Sequence, residues 1–216
     1  SSHYDLPNEF IEYYLDTRTR AYSCAIWKDP LDLQDGETLE DAQHRKHLIA
    51  AEALQLQPDD RFIDIGCGYG YMVHLAETQF ACRNAVGITL STNQVEQGYS
   101  KNLRLKHYLD LPRDGSFDKL YTCGMISHLD RKAVRQYYEH CYGLLRSGGA
   151  AWFHAIMPPS SASGIHNYNT VSGTFSQKYV FPDHYQFPVH IHLRCIEEAG
   201  FQVRQVHYRY GHYAKT

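Results

Sequence analysis

The chain has 216 residues and a formal net charge of −3, with 43% hydrophobic and 21% charged residues. This length favours one domain with a full hydrophobic core, and the composition argues against extensive disorder. Because the chain has no basic excess, no apolar run of about 20 residues and no signal-like start, we expect a cytoplasmic protein that neither binds nucleic acid nor contains a transmembrane segment.

The first part of the chain is predicted to be helical. Apolar and aromatic residues in Asn8–Asp16 recur at helical spacing. A second helix is predicted to begin near Thr38, whose hydroxyl can cap it, and to end at about Leu56. We expect these helices, within residues 1–56, to form part of a lid over a substrate pocket.

From Arg61 onward, apolar strand-like runs alternate with helical runs. Strands are predicted at Arg61–Ile65, Ala85–Ile88, Leu103–His107, Phe117–Cys123, Ala150–Ile156, Phe201–Tyr208 and His212–Ala214. Helices are predicted at Tyr71–Gln79, Ser91–Ser100, Asp130–Arg146 and Val189–Ala199. This alternation is typical of a doubly wound α/β sheet.

Two irregular segments punctuate this pattern. Ser147–Gly149 is expected to end the long helix before the fifth strand. Residues 157–188 are rich in Ser, Pro, Asn, Tyr and His, and we expect them to form a substrate-covering insertion. The sequence therefore predicts one domain over residues 1–216.

The segment Asp64–Gly70, D-I-G-C-G-Y-G, lies where the first strand passes into a helix. Its glycines allow a tight turn and a close approach to a ligand, and the helix N-terminus favours an anionic group. A dinucleotide site would show G-x-G-x-x-G and an acid after the second strand, where Thr89 stands. Three alternate glycines lower stability without a packing gain, so we expect a ligand-binding loop of another kind.

The cysteines and histidines do not form a recognisable metal-binding pattern. Six single cysteines with no C-x-x-C pair predict reduced thiols rather than disulfides. His190 and His192 form an H-x-H pair, but a helix over Pro188–Ala199 would point them apart. The sequence therefore predicts no metal site.

The glycine loop resembles the cofactor loop of class I S-adenosylmethionine (SAM) methyltransferases, and five further blocks narrow this resemblance. In family order they are Tyr4–Asn8, Ala21–Ala25, Gly87–Ser91, Tyr108–Pro112 and Gly211–Thr216. Together they are similar to the cyclopropane-fatty-acid synthase family, which includes the mycolic acid methyltransferases. The resemblance implies a class I SAM methyltransferase (Rossmann-like) fold, with a seven-stranded, mostly parallel sheet, helices on both faces and an antiparallel last strand.

The resemblance implies that SAM is the cofactor and S-adenosylhomocysteine (SAH) its product. Eleven residues would contact the cofactor. In order from its amino-acid end through the glycine loop to the ribose and adenine, they are Tyr22, Ser23, Asp64, Gly66, Gly68, Thr89, Leu90, Gln94, His107 and Tyr108, together with Cys123. His107 stands where the family usually has an acid.

The family pattern also implies a bicarbonate ion, which removes a proton after an alkene attacks the activated methyl group. The implied catalytic residues are Cys24, Ser127, His128, His154, Ile156 and Tyr213. Ser127 stands where the family has a glutamate, so a neutral hydroxyl replaces a carboxylate. Without the family context, Cys24 is typical of a small buried side chain and His154 of a hydrogen-bonded core histidine.

The implied activity is that of a SAM-dependent methyltransferase that adds one carbon, by methylation or cyclopropanation, to an apolar, alkene-bearing acceptor. Two alternatives stay open: a small-molecule C- or N-methyltransferase that forms no ring, and a SAM-binding protein without turnover. The expected partner is a small molecule or acyl substrate, with transient contact to a membrane or carrier. Family members usually continue for several helices past the position of Thr216, and long-chain acceptors are expected to be less favoured only if the protein itself ends there.

Overall fold

The structure is a computed structural model that describes residues 13, 15–32, 36–157 and 185–216. The predicted helix Asn8–Asp16 lies almost wholly outside these residues, and so does most of the predicted insertion 157–188. The helices are α1 (Leu39–Leu54), α2 (Tyr71–Gln79), α3 (Thr92–Glu96), α4 (Arg131–Leu144), α5 (Val189–Glu198) and α6 (His212–Lys215). The strands are β1 (Arg61–Ile65), β2 (Asn84–Thr89), β3 (Leu103–Leu105), β4 (Phe117–Cys123) and β5 (Leu145–His154), and short 3₁₀ turns occupy Tyr108–Asp110 and Met125–His128.

Within the described residues the five strands form one sheet in the order β3-β2-β1-β4-β5. All four neighbouring pairs are parallel. The chain therefore reverses its winding direction between β1 and β4, which places the carboxyl ends of these strands beside a crevice. The predicted doubly wound α/β fold is confirmed.

Alternate residues of the central strands bury opposite faces of the sheet. Phe62 and Tyr121 pack in one core cluster with residues of α1 and α2. Ile63 and Leu120 pack in a second cluster with residues of α4, and α5 covers its edge. Helices thus lie on both faces, as predicted, because an almost wholly apolar strand needs cover on two sides.

Local capping explains where the helices begin. The Thr38 hydroxyl accepts a hydrogen bond from the Asp41 amide at 3.2 Å, and α1 ends at Gln55, whose backbone is left-handed. The Asp130 carboxylate accepts from the Ala133 amide at 2.8 Å and caps α4. Both helices begin where the capping residues predict, since these side chains satisfy free amide groups of the first turn.

Several predicted elements have different bounds or a different type. The helix predicted over Ser91–Ser100 is limited to α3, and the strand predicted over Leu103–His107 ends at Leu105. Leu145–Gly149 extends β5 instead of ending a helix, because Leu145 pairs with Phe117 across an irregularity in the register. No local pattern signals that irregularity.

The last two predicted strands are wrong. Phe201–Tyr208 has no regular secondary structure and is almost entirely exposed, and His212–Ala214 lies in α6. The sheet therefore has five strands, not seven, in the described part of the chain. Alternating side chains show that a segment could pair as a strand, but a neighbouring edge must also accept its hydrogen bonds.

The structure also bears on membrane insertion. Among the residues that it describes, it contains no helix with the length and apolar character needed to cross a bilayer.

Candidate active site

A cavity of about 580 Å³ lies at the carboxyl ends of β1, β2 and β4. This is the position that a doubly wound sheet favours for a ligand. All the predicted site residues except Cys24 line it: Tyr22, Ser23, Asp64, Gly66, Gly68, Thr89, Leu90, Gln94, His107, Tyr108, Cys123, Ser127, His128, His154, Ile156 and Tyr213. Tertiary packing thus brings residues from nearly the whole described chain to one site.

The glycine loop after β1 turns through left-handed backbone conformations. The φ angles of Gly66, Gly68 and Gly70 are 76°, 55° and 77°. A Cβ on Gly66 would lie 2.9 Å from the Met125 side chain, whereas a Cβ on Gly68 would meet no atom of the described residues within 4 Å. The loop therefore faces open space at Gly68, where a ligand can approach the backbone closely.

Asp64 is the buried acid that precedes this loop. It is 2% exposed, and its Oδ1 atom is buried without a hydrogen-bond partner among the described residues. Burial raises the pKa of Asp64 well above its usual value, and the neighbouring Cys123 acts in the same direction. A buried carboxyl oxygen without a donor is costly, so this site is suited to a ligand that donates a hydrogen bond or carries positive charge.

Beyond β2, the side chains that were predicted to hold a ribose are fixed by one another. The Thr89 hydroxyl donates to Gln94 Oε1, and both residues are buried. The Ser91 hydroxyl accepts from the Gln94 amide at 3.3 Å and caps α3. Leu90, in contrast, is 59% exposed and lies at the mouth of the cavity.

After β3, the rings of His107 and Tyr108 stack on each other. The ring centroids of His107 and Tyr108 are 4.6 Å apart at an interplanar angle of 30°. Tyr108 also packs edge-on against Tyr137, with centroids 5.0 Å apart, and His107 Nδ1 accepts from the Leu109 amide at 3.2 Å. These contacts hold the two rings in place for stacking with a planar ligand group.

Cys123 and His154 meet where β4 and β5 end. They are register partners in the sheet, and Cys123 Sγ lies 3.3 Å from His154 Nδ1. Cys123 Sγ also lies 3.3 Å from Ser23 Oγ. Burial would raise the pKa of Cys123, but the charges of His154 and Lys46 and the hydrogen bonds of His154 and Ser23 outweigh it and bring the pKa to about 5. The surroundings of Cys123 therefore favour its thiolate form.

Two residues of α1 near this pair, Lys46 and His47, were not predicted as site residues. Lys46 is fully buried, and its Nζ donates to Ser23 Oγ at 2.7 Å and to Gln43 Oε1. His47 lines the cavity, and its Nδ1 lies 3.1 Å from the Tyr121 hydroxyl. Burial lowers the pKa of both Lys46 and His47. Neither residue belongs to a recognisable motif, so only their packing could identify them.

Four more of the predicted catalytic residues line the cavity: Ser127, His128, Ile156 and Tyr213. Ser127 is on the 3₁₀ turn Met125–His128, and its hydroxyl oxygen is buried with no hydrogen-bond partner in the described ranges. Its carbonyl accepts from the Tyr185 amide at 2.7 Å, which holds the turn in place. His128 and Ile156 line the same space, and so does Tyr213 of α6, which is 49% exposed.

Cys24 lies outside the cavity wall. Its side chain is 5% exposed, and its Sγ lies 3.9 Å from the Thr216 hydroxyl. The same hydroxyl accepts from the Ala25 amide at 3.2 Å and from the Trp27 indole at 3.1 Å. Burial raises the pKa of Cys24. The described contacts therefore place Cys24 in the packing between the N-terminal segment and α6.

The two histidines of the H-x-H pair lie on different sides of α5. His190 is exposed, whereas His192 is buried with its Nδ1 3.0 Å from the Tyr138 hydroxyl. Across the part of the chain that the structure describes, no group of three His, Cys, Asp or Glu side chains is arranged to hold a metal ion.

Three comparisons with known proteins agree with one another. The family model for mycolic acid cyclopropane synthetase matches residues 1–216. A Pseudomonas putida protein named "Probable fatty acid methyltransferase" is 33% identical over 232 residues, which cover 100% of this chain and 55% of that protein. The "Cyclopropane-fatty-acyl-phospholipid synthase" of Escherichia coli strain K12 is 31% identical over 187 residues, which cover 84% of this chain and 44% of that protein.

Solved structures show the same relationship. Mycolic acid cyclopropane synthase CmaA1 in complex with SAH and CTAB matches with a TM-score of 0.80 at 25% identity, over 94% of this chain and 74% of that chain. This likeness confirms the predicted fold class. The chain spans about half the length of the curated relatives it matches.

Proposed function

Because this chain belongs to the mycolic acid cyclopropane synthetase family, we propose that it binds SAM and transfers one carbon from it to an apolar, alkene-bearing acceptor. The observation that carries the proposal is the unpartnered Oδ1 of Asp64, buried beside a glycine loop that is open at Gly68 among the described residues. A cationic, hydrogen-bond-donating ligand that approaches the loop backbone would satisfy both features.

The residues of the cavity fit SAM along its length. Asp64 and the loop would bind the amino-acid end, together with Ser23, whose hydroxyl lies beside Cys123 Sγ. The fixed Thr89–Gln94 pair would bind the ribose, and the stacked ring pair of His107 and Tyr108 would flank the adenine. When bound, SAM supplies an electrophilic methyl group on a sulfonium cation. The protein contributes mainly by positioning the reactants and excluding water.

Apolar side chains support the choice of acceptor. Met125, Leu129, Ala133 and Ile156 line the cavity together with the predicted cofactor residues. The relatives reported above carry the names "Probable fatty acid methyltransferase" and "Cyclopropane-fatty-acyl-phospholipid synthase". We therefore propose a lipid or acyl acceptor, reached by transient contact with a membrane or carrier. A single domain over residues 1–216 and a cytoplasmic location stay predictions from the sequence.

A bicarbonate ion fits this cavity poorly. Ser127 presents a hydroxyl instead of a carboxylate, and Cys24 belongs to a different set of contacts. His154, Ile156 and Tyr213 line the cavity. We propose that the Cys123–His154 pair, with Tyr213 as the other candidate, accepts or orients the proton that leaves when a ring forms.

Ligand binding and product analysis test this function together. SAM and SAH should raise the melting temperature of the protein, because they bind only the folded state, whereas NADH should leave it unchanged. Asp64→Ala should abolish the shift, and Gly66→Val should do so through its clash with Met125. Asp59→Ala, at an exposed residue, is the matched control and should keep the shift. A melting shift with NADH and none with SAM would contradict the proposal.

The products separate the remaining alternatives. A mass gain of about 14 units, with proton NMR signals of a cyclopropane, is expected for ring formation on an alkene substrate. The same gain without those signals would indicate methylation of a small-molecule or acyl carbon or nitrogen. An unchanged substrate, despite a clear SAM-dependent melting shift, would favour a SAM-binding protein without turnover.

A further inference from the structure

Cys123 differs from the other cysteines of the chain in what surrounds its sulfur. Its Sγ lies 3.3 Å from both His154 Nδ1 and Ser23 Oγ. The buried amine of Lys46 donates to that same Ser23 oxygen at 2.7 Å. Cys123 is part-exposed and lines the cavity. The Cys123 sulfur therefore lies against the His154 ring and one residue away from a buried amine, at a cavity wall that small molecules can reach.

Ionisable groups from every neighbouring element act on this sulfur: His154 of β5, Lys46 of α1, Cys24 of the N-terminal segment, Asp64 of β1 and Tyr121 of β4. The pKa values of Asp64 and Tyr121 are raised well above their usual values by burial, and burial raises that of Cys24 too. These three groups therefore favour their neutral forms. His154 and Lys46 are the groups that stabilise negative charge on Cys123.

Cys67 supplies an internal comparison, because it lines the same cavity. Its Sγ donates to the Gly68 carbonyl at 3.5 Å. Burial and the nearby Asp64 raise the pKa of Cys67 well above its usual value. The surroundings of these two thiols thus shift their pKa values in opposite directions, and only a thiolate is a strong nucleophile.

We propose that Cys123 is a covalent modification site, where a thiolate paired with His154 attacks small, soft electrophiles of the class of low-molecular-weight disulfides. In this step Sγ attacks one sulfur of the disulfide, and the S–S bond of the reagent breaks. The second sulfur leaves as a thiolate and takes a proton from water. Cys123 becomes half of a mixed disulfide while the released thiol is the reduced product.

The adduct would occupy the cavity beside Ser23 and the glycine loop. It would therefore prevent SAM from binding, a consequence that rests on the proposed function. A released thiol can reverse the step by the same exchange, so the modification is reversible in a reducing environment.

The test measures alkylation of the unliganded protein by iodoacetamide between pH 4 and pH 9, with mass spectrometry of the Cys123 and Cys67 peptides. We expect a midpoint near pH 5 for Cys123. At pH 6, Cys123 should react at least about tenfold faster than Cys67. In His154→Gln the rate at pH 6 should fall by about tenfold or more, whereas the matched Cys67→Ser variant should keep the Cys123 profile.

A Cys123 midpoint above pH 8, or equal rates at Cys123 and Cys67 at pH 6, would overturn the proposal. The comparison of Cys123 with Cys67 in the unmutated protein tests the proposal even if His154→Gln fails to fold. Glutathione disulfide at pH 7 should add one glutathionyl group at Cys123, and modification at Cys67 instead would also count against the proposal. SAH should slow alkylation of Cys123, and an unchanged rate with an intact pH profile would refute the cofactor site while leaving the thiolate established.

Discussion

Ser127 places a neutral hydroxyl at the cavity wall, and its oxygen has no hydrogen-bond partner in the described part of the chain. A bicarbonate ion bound there would lack a charge-assisted hydrogen bond, which is worth about 1.5–3 kcal/mol, or roughly ten- to a hundredfold in affinity. We therefore expect turnover of the native protein to depend little on added bicarbonate. Ser127→Glu should make turnover sensitive to bicarbonate, as measured by product formation in bicarbonate-depleted and supplemented buffer.

Two further variants complete that measurement. Ser147→Glu adds the same charge at an exposed position of β5 and should leave the bicarbonate response unchanged. His154→Ala should lower turnover while SAH binding is largely kept, because His154 is proposed to act on the proton and not on the adenosyl group. Strong bicarbonate stimulation of the native protein, with none in Ser127→Glu, would show that Ser127 does not occupy the proton-acceptor position.

At the scale of the elements, Asp118 joins three neighbouring strands at the end opposite the cavity. Its carboxylate accepts from the Arg61 amide at 2.8 Å, from Arg61 Nε at 3.0 Å and from Arg146 Nε. Burial acts to raise the pKa of Asp118, but the hydrogen bonds and charge of the two arginines outweigh it and hold the pKa well below its usual value. Asp118 on β4 is thereby bonded to both β1 and β5.

Asp118→Asn should lower the free energy of unfolding by about 1–3 kcal/mol at pH 7, as measured by urea titration. A carboxyl with a depressed pKa stabilises the fold above its unfolded pKa of about 4, and this stabilisation is lost as pH falls through the lower folded value. The difference in unfolding free energy between Asp118→Asn and the native protein should therefore decrease from pH 5 toward pH 2. Asp59→Asn, which removes an exposed pair with Arg83, should change stability by less than about 0.5 kcal/mol. A difference in unfolding free energy that stays constant at all pH values would contradict the lowered pKa of Asp118.

At the scale of the whole molecule, buried neutral histidines on both faces of the sheet make the fold sensitive to acid. Burial lowers the pKa of His47 on one face and brings that of His192 on the other to about 4. The unfolded chain binds a proton at each of these positions near pH 6.5, whereas the folded chain does not. The contribution of these two neutral histidines to the free energy of unfolding is therefore complete above about pH 6.5 and is lost as pH falls toward 4.

His192 should contribute about 2–3 kcal/mol to this loss, measured as the fall in unfolding free energy between pH 7 and pH 4. His192→Asn should flatten the pH dependence by that amount, even though it also removes the contact with Tyr138 and lowers stability at pH 7. His190→Asn, on the exposed face of the same helix, is the matched control and should leave the pH dependence unchanged. An unaltered slope in His192→Asn would mean that another group controls the acid response.

The sequence by itself determined the elements whose signals are local. Arg61–Ile65, Tyr71–Gln79 and Phe117–Cys123 have the predicted bounds because a turn or a glycine loop adjoins each apolar run. The loop from Asp64 to Gly70 was identifiable for the same reason. Its alternate glycines allow the left-handed backbone conformations that a tight turn needs. Local chemistry therefore specified the alternation of strands and helices and the position of the glycine loop.

Only the tertiary structure decided which segments pair and which side chains meet. Leu145–Gly149 is part of β5 because Leu145 pairs with Phe117 of β4. Phe201–Tyr208 has no regular secondary structure despite its strand-like pattern. Cys123 and His154 stand 31 residues apart, and the register of β4 with β5 brings their sulfur and nitrogen within 3.3 Å. Hydrogen bonding between strands and burial of charge depend on groups far away in sequence, so no local pattern of residues contains them.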